Sequence, residues 1–214
     1  MLTAALIDYG SGNLASAEKA LSEAARRAHH EVRVLVTSDP DDIAAADHIV
    51  LPGVGAFAHG MALMRDKPGL IEAMDEAVHK RAVPFLGVCV GMQLLATRGL
   101  EFGETPGLGW IAGEVRRIEP DGHQFKVPHM GWNALADVAP HPLFKDLAAG
   151  DHMYFTHSFA FHTADPSDVA ASADHGGVFT AAVAHGNIAG VQFHPEKSQA
   201  AGLRLLSNFL EWRP

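Results

Sequence analysis

The sequence predicts an α/β protein whose central, mostly parallel sheet carries helices on both faces and is extended by antiparallel strands in its C-terminal half. Three observations predict it. Short apolar runs alternate with stretches of helical period over residues 2–99, and those runs are closed by turn residues such as Gly10, Pro52 and Gly87. Beyond Gly99 the helical stretches give way to short β-like runs separated by Gly, Pro and polar residues. In a sheet of the first kind, ligands bind outside the carboxyl ends of the strands, so the closing turns share one rim.

Taken in order, residues 2–9 read as a strand ending in the loop Gly10-Ser11-Gly12-Asn13, and residues 14–28 as an Ala- and Glu-rich helix. Residues 32–36 form a second strand, 43–47 a short helical piece, and 48–51 a third strand cut off by Pro52-Gly53-Val54-Gly55-Ala56-Phe57. Helical spacing runs over 57–81 with one break at Pro68-Gly69. The fourth strand, from Val83, ends in Gly87-Val88-Cys89-Val90-Gly91 and passes into a helical pattern marked by Met92, Leu94 and Leu95. Residues 110–118, 153–155, 169–172, 179–183 and 188–193 are expected as strands extending the same sheet, joined by connections at 119–126 and 164–167. A last helix over 199–212 turns Leu203, Leu206 and Leu210 to the core. The absence of repeats and low-complexity tracts predicts one domain spanning 1–214.

Composition narrows the function. One cysteine cannot form an internal disulfide, which points to a reducing, cytoplasmic setting, and a net charge of -9 argues against nucleic-acid binding. No basic segment precedes the first apolar run, and no run reaches membrane-spanning length, so a soluble protein is expected. The 14 histidines show no metal-ligand spacing, and His29-His30 reads as a polar helix end; neither a metal nor a cofactor is expected.

The chemistry centres on Cys89. A nucleophile between two glycines at a strand-to-helix turn follows the logic of a nucleophile elbow, where the amides after it lack helical partners and aim their dipole at the sulfur. A structural, buried cysteine is the competing reading. A cysteine nucleophile needs a base and an orienting acid. His194-Pro195-Glu196 follows a strand, and residues two apart in extended backbone project to one side, although a solvated turn would read the same. Pro52-Gly53-Val54-Gly55 supplies amides that approach a substrate closely, or forms a plain turn. Jointly the three describe cysteine acyl transfer with an oxyanion hole.

The motifs Gly87-Val88-Cys89-Val90-Gly91-Met92-Gln93 and Gly190-Val191-Gln192-Phe193-His194-Pro195-Glu196 resemble those of the class I (triad) glutamine amidotransferases. Within that class, 8–13, 52–57, 127–133, 154–158 and 194–198 are similar to the glutaminase subunits of imidazole glycerol phosphate synthases, which act in histidine biosynthesis. The resemblance implies a flavodoxin-like three-layer fold and a triad of Cys89, His194 and Glu196. It implies oxyanion donors at Val54 and Val90, and glutamine held by Gly53, Gly55, Gln93, His157 and Ser158. It also implies a (β/α)8-barrel cyclase partner, in a heterodimer, met by Asn13, Trp132, Tyr154 and Lys197. Phe159 departs from the tyrosine usual after His-Ser, and Trp110 stands where an aliphatic residue is usual. Three alternatives compete with this reading. A glutaminase serving anthranilate or pyridoxal phosphate synthesis is disfavoured by 127–133 and Lys197, a silent binding module by the intact triad, and a metal-dependent hydrolase by the lack of ligand spacing.

Overall fold

A computed structural model describes residues 1–27 and 31–214. The expected end of the first helix at Ala28 and the His29-His30 pair lie outside the described residues. The chain runs β1 (Leu2–Ile7), α1 (Leu14–Arg27), β2 (Val32–Thr37), α2 (Pro40–Ala45), β3 (His48–Gly53), α3 (Phe57–Arg65), α4 (Leu70–Asp75), β4 (Phe85–Cys89) and α5 (Val90–Gln93). It continues through β5 (Ala96–Gly99), β6 (Thr105–Pro106), β7 (Ile111–Arg117), β8 (His129–Val138), β9 (His152–His157), β10 (Phe159–Thr163), β11 (Val169–Asp174), β12 (Val178–His185), β13 (Ile188–Val191) and α6 (Gln199–Glu211).

Among the described residues, nine strands form the main sheet in the order β2-β1-β3-β4-β13-β12-β11-β8-β9. The first five pair in parallel and the remainder antiparallel, as the hydrophobic runs led one to expect. The chain steps outward from β1 to β2 and then back across β1 to β3 and β4. Right-handed crossovers therefore set α1 on one face and α2, α3 and α4 on the other. On the first face α1 packs on α6, where Ser207 Oγ donates to the Ala24 carbonyl at 3.1 Å. β3 and β4 are buried along their whole length, which is why they read as continuous apolar runs rather than alternating ones.

The structure departs from expectation in several places. Residues 111–117 do not extend the main sheet; they sit in a second sheet of order β10-β7-β5-β6. β5, β6, β8 and β10 are additional strands; in β8, Gly131, Asn133 and Asp137 are poor strand formers held by pairing with β9 and β11. The helix after Cys89 ends at Gln93. The carbonyls of Leu94 and Leu95 instead accept from Leu108 and Ile111, which draws the chain into β5. The helical piece near residue 43 starts earlier, at Pro40, because Asp39 caps it by accepting from the Asp41 amide at 2.9 Å. The stretch 57–81 does break at Pro68-Gly69, and Gly69 takes φ 77° there. It closes in a π-helical turn, Glu76–Lys80.

Candidate active site

β4 lies at the centre of the parallel region, flanked by β3 and β13, with Cys89 opposite Gly53 in the register. Cys89 takes φ 55° and ψ -112°, a conformation an L-residue holds only when its surroundings impose it. The glycines make that turn sterically possible by close approach. A Cβ on Gly87 would lie 2.6 Å from the Gly91 carbonyl oxygen, and one on Gly91 only 1.9 Å from that of Leu51. The strain thus rests on the cysteine itself, which is 4% exposed.

His194 follows β13, and Glu196 reaches it through a 3-10 turn, Pro195–Lys197, rather than by strand alternation as the spacing suggested. Nδ1 of His194 and Oε1 of Glu196 are 2.8 Å apart. Ser198 clamps the turn. Its Oγ donates to the His194 carbonyl at 2.6 Å and accepts from the Tyr154 amide at 3.0 Å. The Nε2 of His194 is buried with no hydrogen-bond partner of normal geometry, and Cys89 is the reactive group acting on it. Burial presses the imidazolium pKa down, but interaction with Cys89 and then Glu196 outweighs it and raises His194 to about 9. The arrangement favours an imidazolium facing Cys89, with a carboxylate behind the ring.

Cys89 and His194 open into a cleft of about 310 Å³ lined also by Val54, Gly55, Val90, Gln93, Glu101, Pro128, Thr156, His157, Ser158 and Phe159. Of the residues expected to hold a substrate, Gly55, Gln93, His157 and Ser158 are on its wall, and Gly53 is not. Gly53 packs behind the elbow, where a Cβ would meet the Gly91 nitrogen at 2.7 Å. His157 lines the cleft with both ring nitrogens spent, Nδ1 on the Phe159 carbonyl at 2.9 Å and Nε2 on His129 Nδ1 at 3.0 Å. Burial pushes His157 down to about 4 and His129 to about 3, so both rings are neutral. Gln93 donates through Nε2 to the Phe159 carbonyl and to Gln192 Oε1, each at 3.0 Å. Val90 opens α5 directly after Cys89, whereas the Val54 amide donates to Ser11 Oγ at 3.2 Å and is spent in this conformation.

Sequence reasoning missed Glu101, Ser11 and His129. Glu101 is the carboxylate of the cleft, and its Oε2 also accepts from the Phe57 amide at 2.9 Å, tying it to the start of α3. No spacing rule points to it. Its signal is chemical: an acidic residue in a glycine-bounded loop close after Cys89 can meet a cationic group.

Of the residues expected to meet a partner, Trp132, Tyr154 and Lys197 form one patch. Trp132 and Tyr154 are opposed in the β8–β9 register, with ring centroids 6.0 Å apart, and Lys197 Nζ lies 5.7 Å from the Tyr154 centroid. Met130, two residues along β8, is also exposed. Asn13 caps α1 by accepting from the Ser16 amide at 3.3 Å, and with Glu196 and Pro52 it lines a small cavity behind the triad. Among the described residues no group of three or more His, Cys, Asp or Glu is placed to hold a metal ion, and no helix is long and apolar enough to cross a membrane.

Comparison with known proteins places relatives beside this geometry. The family model described as "Glutamine amidotransferase class-I" matches residues 5–212. The chain is 63% identical over 214 residues to the imidazole glycerol phosphate synthase subunit HisH of Caulobacter vibrioides, covering 100% of both chains. It is 55% identical to the HisH subunit of Ruegeria pomeroyi, again covering 100% of both. Among solved structures, a glutamine amidotransferase superposes with a TM-score of 0.70 at 21% identity, covering 97% of each chain. A glutamine amidotransferase from Thermotoga maritima superposes at 0.60 with 17% identity, covering 91% of this chain and 76% of that one. These two likenesses bear on the fold alone.

Proposed function

The chain belongs to the glutamine amidotransferase class-I family, and from that premise we propose that it hydrolyses glutamine as the glutaminase subunit of an imidazole glycerol phosphate synthase, in histidine biosynthesis. The observation that carries the reading is the convergence of a strained Cys89 and an imidazolium-favouring His194 on the wall of one cleft, with Glu196 behind the His194 ring. The thiolate of Cys89 attacks the carboxamide carbon of glutamine, and the oxyanion forms beside the Val90 amide. Nε2 of His194 gives its proton to the departing nitrogen, which leaves as ammonia. A water that loses its proton to the same nitrogen then cleaves the thioester, yielding glutamate and the thiolate. Glu196 keeps the ring oriented throughout, and Glu101 suits the α-ammonium of the substrate.

Ammonia protonated in bulk water is no nucleophile, so a glutaminase of this kind must hand its product directly to a second active site. The chain acts as a subunit of a larger synthase, and we assign the second subunit as a (β/α)8-barrel cyclase docked as a heterodimer on Trp132, Tyr154, Lys197 and Asn13. The cyclase would use the ammonia to make imidazole glycerol phosphate and an aminoimidazole carboxamide ribotide. Residues 1–214 are read as one amidotransferase domain in a cytoplasmic enzyme. The test is glutamate release by this chain alone, with a candidate cyclase, and with the cyclase plus its nucleotide ligand. Slow release alone and strong stimulation by the pair is expected. Release that no cyclase alters would overturn the assignment.

A further inference from the structure

Gln192 is wholly buried, leaves the β13 ladder with its amide on the Ala181 carbonyl at 2.8 Å, and turns its side chain to the nucleophile. Its Nε2 lies 3.8 Å from Cys89 Sγ, within the longer reach of hydrogen bonds to sulfur. The direction of that bond follows from its neighbours. The Phe159 carbonyl only accepts, so the Gln93 atom 3.0 Å from it must be the amide nitrogen. The second hydrogen of that nitrogen points at Gln192, whose near atom must then be oxygen, 3.0 Å away. Gln192 is left with its NH2 facing sulfur. His157 donates to the same Phe159 carbonyl, which anchors the far end of the chain.

We propose that Gln192 is a catalytic residue that donates a hydrogen bond to the Cys89 thiolate and thereby holds the nucleophile ionised, with Gln93 as the positioning residue that fixes its amide. A thiolate accepts hydrogen bonds far better than a thiol, so a fixed donor selects the charged form. The donor is neutral and dry, and it approaches the sulfur as a second partner beside His194. It also sets what Gln93 can offer a substrate. With both N–H groups spent, only its Oε1 remains, an acceptor for a substrate N–H. The inference rests on the reading of Cys89 as the nucleophile.

Cys89 is the only cysteine in the chain, so its alkylation by iodoacetamide can be followed without ambiguity in the full-length protein. The rate is measured against pH for the parent, Gln192→Met and Gln192→Glu, with circular dichroism melts to confirm folding. In Gln192→Met the midpoint of the alkylation profile should move up by about one pH unit, cutting the rate about tenfold at pH values below the parent's midpoint. Gln192→Glu keeps the volume but sets a carboxyl against the sulfur, and should move it further. Folded variants whose profiles superpose on the parent's would overturn the proposal. Alkylation needs no glutamine turnover. Shifted variant profiles beside a parent that hydrolyses no glutamine even with a cyclase and its ligand present would refute the glutaminase reading and leave the assignment of Gln192 standing.

Discussion

The hydroxyl of Ser11 bridges both polar ends of Val54, donating to its carbonyl oxygen at 2.9 Å and accepting from its amide at 3.2 Å. One side chain thus holds the peptide most suited to complete an oxyanion hole. Ser11→Ala removes both bonds, and Val54 is 44% exposed, so water can replace them at little cost to stability. Two bonds of about 1 kcal/mol each restrain the peptide, and their loss should raise glutamate release by the isolated chain by up to about thirtyfold. Steady-state kinetics without a partner make the check. An unchanged rate means that the hydroxyl is not the restraint.

Removing the triad members one at a time should give unequal losses. Cys89→Ala and His194→Ala each take away a group that touches the reacting atoms, and turnover should fall to background in both. Glu196→Ala leaves nucleophile and base in place, and Ser198 and the Tyr154 carbonyl still fix the turn that carries His194. Its loss should be smaller by roughly one to two orders of magnitude. Glutamate production with the partner present separates the three, and a Glu196→Ala variant as dead as His194→Ala would show that orientation is the whole of the base's competence.

Much of this site was legible before any coordinates. Gly87, Cys89 and Gly91 declared an elbow because steric exclusion at a tight turn leaves a local mark, and His194 and Glu196 were close enough in sequence to be read as a pair. The parallel order of the first strands was visible for a similar reason, since strands buried on both faces are apolar throughout. What stayed hidden depends on distant partners. Ser11 and Val54 are 43 residues apart, and His129 and His157 are 28 apart. The strand β8 exists by virtue of β9 and β11. Gly53 shows a related limit: nothing in its place in the motif tells that its missing side chain serves the packing of the elbow.

Stability should be greatest near pH 6.5 and fall on both sides for opposite reasons. His194 titrates near 9 when folded and at the ordinary 6.5 when unfolded, so the stabilisation of its charged form is complete below 6.5 and is lost as pH rises through 9. His48, His129 and His157 are pushed by burial to about 4, 3 and 4, so the unfolded chain takes up their protons first. Their contribution is present above 6.5 and disappears as pH falls toward 4. At pH 5, above the range where ordinary carboxylates titrate, each costs about 2 kcal/mol. Thermal melts between pH 5 and 9.5 should trace a dome, and a Tm that stays flat from 6.5 to 5 would contradict the neutral state of these rings. Glutamine hydrolysis should also fall as pH passes 9, because Nε2 of His194 then has no proton for the leaving nitrogen.

Glu101 offers a separation of binding from chemistry. Its carboxylate is the one acidic side chain on the wall of the catalytic cleft, and the substrate proposed for that cleft carries an α-ammonium. Glu101→Gln removes the charge but retains an acceptor for the Phe57 amide, so the start of α3 should keep its cap. A charged hydrogen bond of this kind contributes about 1.5–3 kcal/mol. Because the ammonium is remote from the breaking bond, that energy is used equally in the ground and transition states. The expected outcome is a KM for glutamine raised by one to two orders of magnitude with kcat little changed. A variant that loses kcat at unchanged KM would place Glu101 in the chemistry instead, and one that melts several degrees lower would show that its bond to Phe57 is its main role.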